Sequence, residues 1–174
     1  MEPTPTADRI LDRGGVIEIA ENKEYLLGNR AKDLYIHTMK ITQNTNLFPK
    51  SVRFTFVQDL QTTAKSIIKG IHAANECMFA TEYLRRLELI KAVLDDCNFF
   101  LQLLEICVEL EYIDLRRCEH WSSLVLNVKY MCAAWRKKDT ERSKPLIEKE
   151  ERDRLEQQAA LIQEAVAAVL SRKQ

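Results

Sequence analysis

Apolar residues that recur at helical spacing over long stretches are the feature that most constrains the fold of this chain. Between Leu87 and Val108 such residues advance by three or four positions at every step, which places them along one face of a helix. Three other segments show the same spacing. The four segments predict helices over about 22–43, 49–75, 81–110 and 114–139.

Each predicted helix has its own apolar stripe. The stripes comprise Leu27, Leu34 and Ile41 in the first helix; Val52, Phe56, Leu60, Thr63, Ile67, Ile71 and Ala74 in the second; Leu87, Ile90, Leu94, Cys97, Leu101, Leu104 and Val108 in the third; and Cys118, Trp121, Val125, Val128, Cys132 and Trp135 in the fourth. Pro49 suits the first turn of the second helix, and Thr81 and Asp114 are suited to cap the third and the fourth.

The scarcity of turn-forming residues excludes most other folds. Only 4 Gly and 4 Pro occur in 174 residues, too few for the turns of a β-sandwich or barrel and for a glycine-rich phosphate loop. With 46% hydrophobic and 30% charged residues, the chain has the composition of a folded, soluble protein. No signal-peptide order is present, so we expect a cytoplasmic protein. The predicted fold is all-α, an up-and-down four-helix bundle with an additional C-terminal helix.

Both ends of the chain differ from the predicted bundle, which covers 22–142. Residues 1–21 contain an early cluster of Pro and Gly without an apolar period and predict an N-terminal arm, in which 16–20 is either a short strand or an extended lead-in. Pro145 is expected to break the chain, so that 143–174 form a C-terminal helical extension. The thin apolar seam of this extension suits a partner. It consists of Leu155, Ile162 and Val169.

The third helix is apolar on more than one face. A lone bundle would leave part of this surface in water, and such breadth favours contact with a second subunit. Phe99, Phe100, Ile106 and Cys107 are therefore predicted to lie at the interface of a homo-oligomer.

No arrangement of residues typical of an active site or a metal site occurs in the sequence. The 5 Cys form no CxxC pair and are interpreted as small buried apolar side chains. His37, His72 and His120 lie far apart on different predicted helices, without the spacing of metal ligands. Asp95 and Asp96 point in directions about 100° apart on a helix. We therefore predict that the protein is not an enzyme and uses no metal or cofactor.

Positive charge is concentrated locally although the formal net charge is zero. Between Trp121 and Lys144 six basic residues accompany two acidic ones, and the second helix carries basic residues opposite its apolar stripe. Two interpretations remain open: these surfaces bind phosphate groups, or they complement a helix C-terminus and solvate a helix face. The candidate binding residues are Lys50, Lys65, Lys69, Lys129, Arg136, Lys137, Lys138 and Arg142.

Three segments of the chain resemble one known family. They are RAKDLYIHTMKIT (30–42), NLFPKSVRFTF (46–56) and EHWSSLVLNVKYMCAAWRKKD (119–139), and we call them the family-like segments. They are similar to the accessory variability determinant proteins of diversity-generating retroelements, which are relatives of the ribosomal-RNA intervening-sequence proteins. The resemblance covers about 22–142.

The resemblance implies a non-catalytic helical bundle that forms a homopentamer, binds the reverse transcriptase of the element and contacts its template RNA or cDNA during mutagenic retrohoming. Lys50 and Arg53 match the basic positions after the proline of the family, and Arg136, Lys137 and Lys138 match its basic end of the fourth helix. Members of the family are often strongly basic, whereas this chain is neutral. The alternative function is a protein-protein interaction module of the same fold without nucleic-acid contact.

Overall fold

A computed structural model describes residues 26–171, and over this range the fold is all-helical with no strand. Helix α1 covers 26–42, α2 covers Phe56–Glu76, α3 covers Phe79–Glu109 and α4 covers Leu115–Ser171, and a 3-10 turn covers Lys50–Val52. The predicted arm over 1–21, and residues 22–25 of the first predicted helix, lie outside the described residues.

All four helices contribute their predicted apolar stripes to one core. Leu34 of α1, Leu60 of α2, Phe100 of α3 and Trp121 of α4 are completely buried and belong to a single hydrophobic cluster. Helix α2 packs against α3. Burial of a large apolar side chain stabilises a fold by about 1.5–3 kcal/mol. Residues of all four predicted stripes therefore contribute to the stability of one core.

The second helix begins later than the sequence predicted. The chain after Pro49 first forms the 3-10 turn, and Thr55, with φ −121° and ψ −97°, separates this turn from α2. Helix α2 therefore starts at Phe56. Pro49 lies at the N-cap of the 3-10 turn with φ −56° and ψ 153°, so it precedes the turn in an extended conformation and does not occupy the first turn of α2.

The third helix begins at Phe79 rather than at Thr81. Its first turn is interrupted at Glu82, which has φ −123° and ψ 23°. The carboxylate of Glu82 accepts a hydrogen bond from the N–H of Met78 at 3.1 Å. We expected the hydroxyl of Thr81 to cap this end of α3. The carboxylate of Glu82 accepts the backbone N–H there instead.

The expected break at Pro145 is wrong, because α4 continues through this residue to Ser171. A proline inside a helix removes one hydrogen bond and costs about 3 kcal/mol. The residues after Pro145 are mainly Leu, Glu, Lys, Arg, Gln and Ala, which have high helix propensity and offset that cost. No separate fifth helix occurs in the described part of the chain.

The chain divides into two units, of which the first ends at Arg136 and the second begins at Lys137. In the second unit every side chain described from 148 to 168 is exposed, including Leu155 and Ile162 of the predicted seam. The side chain of Val169 lies outside the described residues.

Candidate functional site

A cleft of about 540 Å³ lies between the C-terminal end of α1, the loop that follows it and the beginning of α4. Pockets that bind small ligands have volumes of about 300–1,000 Å³, so the cleft is large enough for one. It is lined by His37, Lys40, Ile41, Asn44, Leu47, Asp114, Arg116, Arg117 and His120.

The lining of the cleft is electropositive. Lys40, Arg116 and Arg117 contribute three positive charges, and Asp114 contributes the single negative one. The guanidinium group of Arg117 forms an ion pair with the carboxylate of Asp114. Neither Lys40 nor Arg116 forms an ion pair with another described residue. Two uncompensated cations therefore remain in the cleft.

The sequence places these arginines at the end of α4 that disfavours them. A helix N-terminus carries a partial positive charge. An anion in the first turn stabilises the helix by about 0.3–1 kcal/mol, whereas a cation there is unfavourable. The first turn of α4 contains no acidic residue. As predicted, Asp114 caps the helix, since its Oδ1 accepts the N–H of Arg117 at 2.8 Å. The carboxylate of Asp114 compensates the positive charge of Arg117 at this end of the helix. Helix stability does not explain why a second cation, Arg116, occupies the first turn.

The two histidines of the cleft are in direct contact, which corrects the interpretation that they lie far apart. The ring centroids of His37 and His120 are 5.0 Å apart at an interplanar angle of 74°. Burial lowers the pKa of His37, and the nearby His120 and Lys40 lower it further. The Nε2 of His37 is shielded from solvent and has no hydrogen-bond partner among the described residues. His72 is exposed on α2 and does not line the cleft.

A buried hydrogen-bond network fixes α1 against α4 directly beneath these histidines. The indole Nε1 of Trp121 donates to the hydroxyl of Thr38 at 3.2 Å, and this hydroxyl donates to the carbonyl of Leu34 at 2.8 Å. The ring of His37 lies 5.5 Å from that of Trp121 in an edge contact. Core packing thus holds together the parts of α1 and α4 that carry the cleft residues.

The basic residues predicted around α2 are exposed. Lys50 and Arg53 lie in and directly after the 3-10 turn, and Lys65 and Lys69 lie one helical turn apart on α2. None of these four forms an ion pair with another described residue. They form an open charged surface and do not line the cleft.

The basic residues predicted on α4 fall into both units. Lys129 is half-buried and Arg136 is exposed in the first unit, whereas Lys137, Lys138 and Arg142 are exposed in the second. The guanidinium group of Arg142 donates to Asp139 Oδ1 at 3.2 Å, and Asp139 is only 1% exposed. This ion pair reduces the charge that Arg142 offers to a ligand.

Two of the four residues predicted at an oligomer interface cannot lie at one. Phe100 and Cys107 are completely buried in the core of the chain itself, because they lie seven residues apart on a face of α3 that packs into the hydrophobic cluster. Phe99 and Ile106 remain 47% and 39% exposed. Of the four predicted interface residues, only this pair offers apolar surface to a second subunit.

The cysteines are buried thiols, as predicted. Cys77, Cys97, Cys107 and Cys132 are buried and Cys118 is half-buried, and all five are unpaired. Burial raises the pKa of Cys97, Cys107 and Cys132 to about 12. Because the thiolate is the reactive form, these three side chains act as small apolar core residues.

Sequence reasoning missed the cleft because its residues come from two distant parts of the chain. His37 and Lys40 lie on α1, whereas Arg116, Arg117 and His120 lie at the start of α4. One local signal was available: Arg116 and Arg117 lie in the first turn after the N-cap Asp114, where acidic residues are preferred.

Comparison of this chain with family profiles, with curated proteins and with solved structures gives no match. None of the described helices combines the length and the hydrophobicity that a membrane span needs. Within the described range, no group of three or more His, Cys, Asp or Glu side chains is placed to hold a metal ion.

Proposed function

We propose that this protein is a non-catalytic, cytoplasmic accessory subunit of a diversity-generating retroelement, which binds the reverse transcriptase of the element and its template RNA or cDNA. The proposal starts from the resemblance of the family-like segments. It is supported most by the observation that all three segments contribute to the cleft, through His37 and Lys40, through Leu47, and through His120.

We further propose that the helices form an up-and-down four-helix bundle composed of α1, α2, α3 and the part of α4 that ends at Arg136. Each of these contributes to the single hydrophobic cluster. The connections from α2 to α3 and from α3 to α4 are short, and short connections favour antiparallel neighbours.

The subunits are proposed to assemble as a homopentamer, the state that the resemblance implies. Phe99 and Ile106 lie seven residues apart on α3, which places their exposed side chains on the same face. We expect light scattering to give the mass of a pentamer for the wild type and a smaller mass for F99Q/I106Q with unchanged helical content. A monomeric wild type at micromolar concentration would contradict the assembly.

The binding function is tested by capture of the reverse transcriptase and of its template RNA with matched charge variants. K65Q/K69Q and K137Q/K138Q each remove two exposed cations from the proposed binding surfaces. R85Q/K91Q is the control, since it removes the same charge from α3, where both cations form exposed ion pairs. Exposed ion pairs contribute about 0–1 kcal/mol to stability, so the control variant should fold. The two test variants remove only exposed side chains and should fold as well.

We expect weaker RNA capture by both test variants than by the control, and a steep loss of capture with added salt because counterions are released on phosphate binding. Wild-type protein that captures neither the polymerase nor the RNA at low salt would refute the proposed function. Equal capture of RNA by all variants would show that these lysines do not contribute to RNA binding.

An interaction module without nucleic-acid contact is the second candidate. It is favoured by a row of exposed apolar side chains on the second unit, namely Leu155, Leu161, Ile162 and Val166. Capture of a protein partner that depends on these residues, together with no capture of RNA, would select this alternative.

A further inference from the structure

We propose that the cleft between α1 and α4 is a phosphate-binding site in which Lys40 and Arg116 supply the charge. The phosphate is that of an RNA or cDNA backbone or a free phosphate group. The backbone source rests on the function proposed above, whereas the site itself rests on the geometry of the cleft.

The charge and the donor geometry of Lys40 and Arg116 favour a phosphate. Lys40 and Arg116 come from two different helices, line the same cleft and have no anionic partner among the described residues. The guanidinium group of Arg116 presents several N–H donors in one plane, which matches two phosphate oxygens. The ammonium group of Lys40 adds a point charge from the opposite wall.

The backbone at the start of α4 supplies further donors. Asp114 accepts the N–H of Arg117 and its carbonyl accepts the N–H of Cys118. The N–H groups of Leu115 and Arg116 have no acceptor among the described residues. Free amides and the helix dipole at an N-terminus both attract anions.

The histidines give the site a measurable proton response. The charged and titratable groups that line the cleft together with His37 are Lys40 on its own helix, His120, Arg116 and Arg117 on α4, and Asp114 at the N-cap. In the free protein, burial, His120 and Lys40 all oppose its protonation. A phosphate bound among these cations would neutralise part of the positive field, so the pKa of His37 must rise when the site fills.

The primary experiment titrates the imidazole resonances of the full chain by NMR in inorganic phosphate and in chloride at equal ionic strength. We expect phosphate to raise the pKa of His37 in the wild type and in K65Q/K69Q. The K40Q/R116Q variant removes two exposed cations from the cleft and should show no rise. Circular dichroism checks that both variants are folded.

A second arm measures the affinity of a fluorescent single-stranded RNA for the same three proteins. The loss of one charge-assisted hydrogen bond to a phosphate weakens binding by about tenfold. We therefore expect at least this loss in K40Q/R116Q and a smaller one in K65Q/K69Q.

The two arms separate the possible outcomes. A phosphate response that depends on Lys40 and Arg116, without RNA binding, supports the site with free phosphate as its ligand and refutes the nucleic-acid part of the proposed function. RNA binding that depends on these two residues supports the backbone as the source. If neither probe responds to K40Q/R116Q, the site is refuted, and RNA binding that persists still supports the proposed function.

Discussion

At the scale of single residues, the hydroxyl of Thr38 joins α1 to α4 through a buried hydrogen bond. It accepts the buried indole N–H of Trp121 and is itself 0% exposed. The T38V variant keeps the shape of the side chain but leaves this N–H without an acceptor. An unsatisfied buried donor costs about 1–3 kcal/mol, and we expect a fall of this size in the free energy of unfolding measured with urea.

Thr62 provides the matched control for this prediction. Its hydroxyl also donates to the carbonyl four residues earlier, at 2.8 Å, but in an exposed position. The T62V variant should therefore change stability by less than about 0.5 kcal/mol. An equal loss in T38V and T62V would show that the buried bond to Trp121 is not the source of the effect.

His37 gives a prediction about pH. Because burial, His120 and Lys40 lower its pKa in the folded state, the unfolded chain binds a proton more readily. As pH falls below about 6.5, the usual value for histidine, this difference favours unfolding until the folded state is also protonated. We expect H37Q to lose less stability than the wild type between pH 7 and pH 5.

The measurement for His37 is the difference in urea unfolding free energy between H37Q and the wild type at several pH values. Above about pH 7.5 the imidazole is neutral in both states, so the difference should be constant there. If the difference in unfolding free energy between H37Q and the wild type also stays constant between pH 7 and pH 5, burial does not lower the pKa of His37 as proposed.

At the scale of the elements, Gly70 allows α2 to approach α3 closely. A Cβ atom at this position would lie 2.5 Å from Cγ2 of Val93, which is buried and, being β-branched, has few rotamers to move into. Overpacking costs about 1–3 kcal/mol, and the higher helix propensity of alanine returns about 1 kcal/mol. We expect G70A to destabilise the protein by up to about 2 kcal/mol.

The G28A variant tests propensity without the steric clash. Gly28 lies in α1, and beyond its chain neighbours and the backbone of its own helix no atom of the described residues lies within 4 Å of an added Cβ. Alanine there should therefore raise stability by up to about 1 kcal/mol. Urea unfolding of both variants compares the two effects. A stabilised G70A would mean that the two helices separate at little cost.

The positions of the helices followed from the sequence, whereas several of their ends did not. The 3/4 spacing predicted the four helices because burial selects apolar residues at each turn. In α3 the buried face lies partly beside the predicted stripe, since Leu94 and Leu101 are half-buried whereas Phe100 is completely buried. Helix ends depend on single hydrogen bonds: Asp114 caps α4 as predicted, but Glu82 rather than Thr81 holds the start of α3. Pro145 stays inside α4 because its neighbours favour helix on both sides.

At the scale of the whole molecule, the site depends on contacts that no local pattern encodes. Lys40 and Arg116 are separated by more than two helices in the sequence, and their approach follows from how α1 and α4 share the core. The formal net charge of zero gave no indication of the cleft. A net charge summed over the chain does not show where individual cations lack an anionic partner. Helical spacing shows which residues are buried but not which exposed residues converge.

The last prediction concerns the second unit of the chain. Its described side chains from 148 to 168 are all exposed, and Leu146 and Ile147 are half-buried, so deletion of 145–174 removes no completely buried apolar side chain of the described residues. We expect the shortened chain to unfold at nearly the urea concentration of the full chain and to keep its oligomeric mass, while its far-UV ellipticity falls by the share of the deleted helix.

L155Q/I162Q is the matched full-length control, and it should leave stability within about 0.5 kcal/mol because both side chains are more than 60% exposed. A shortened chain that is insoluble, or that unfolds at a much lower urea concentration, would show that the second unit contributes to the core of the protein.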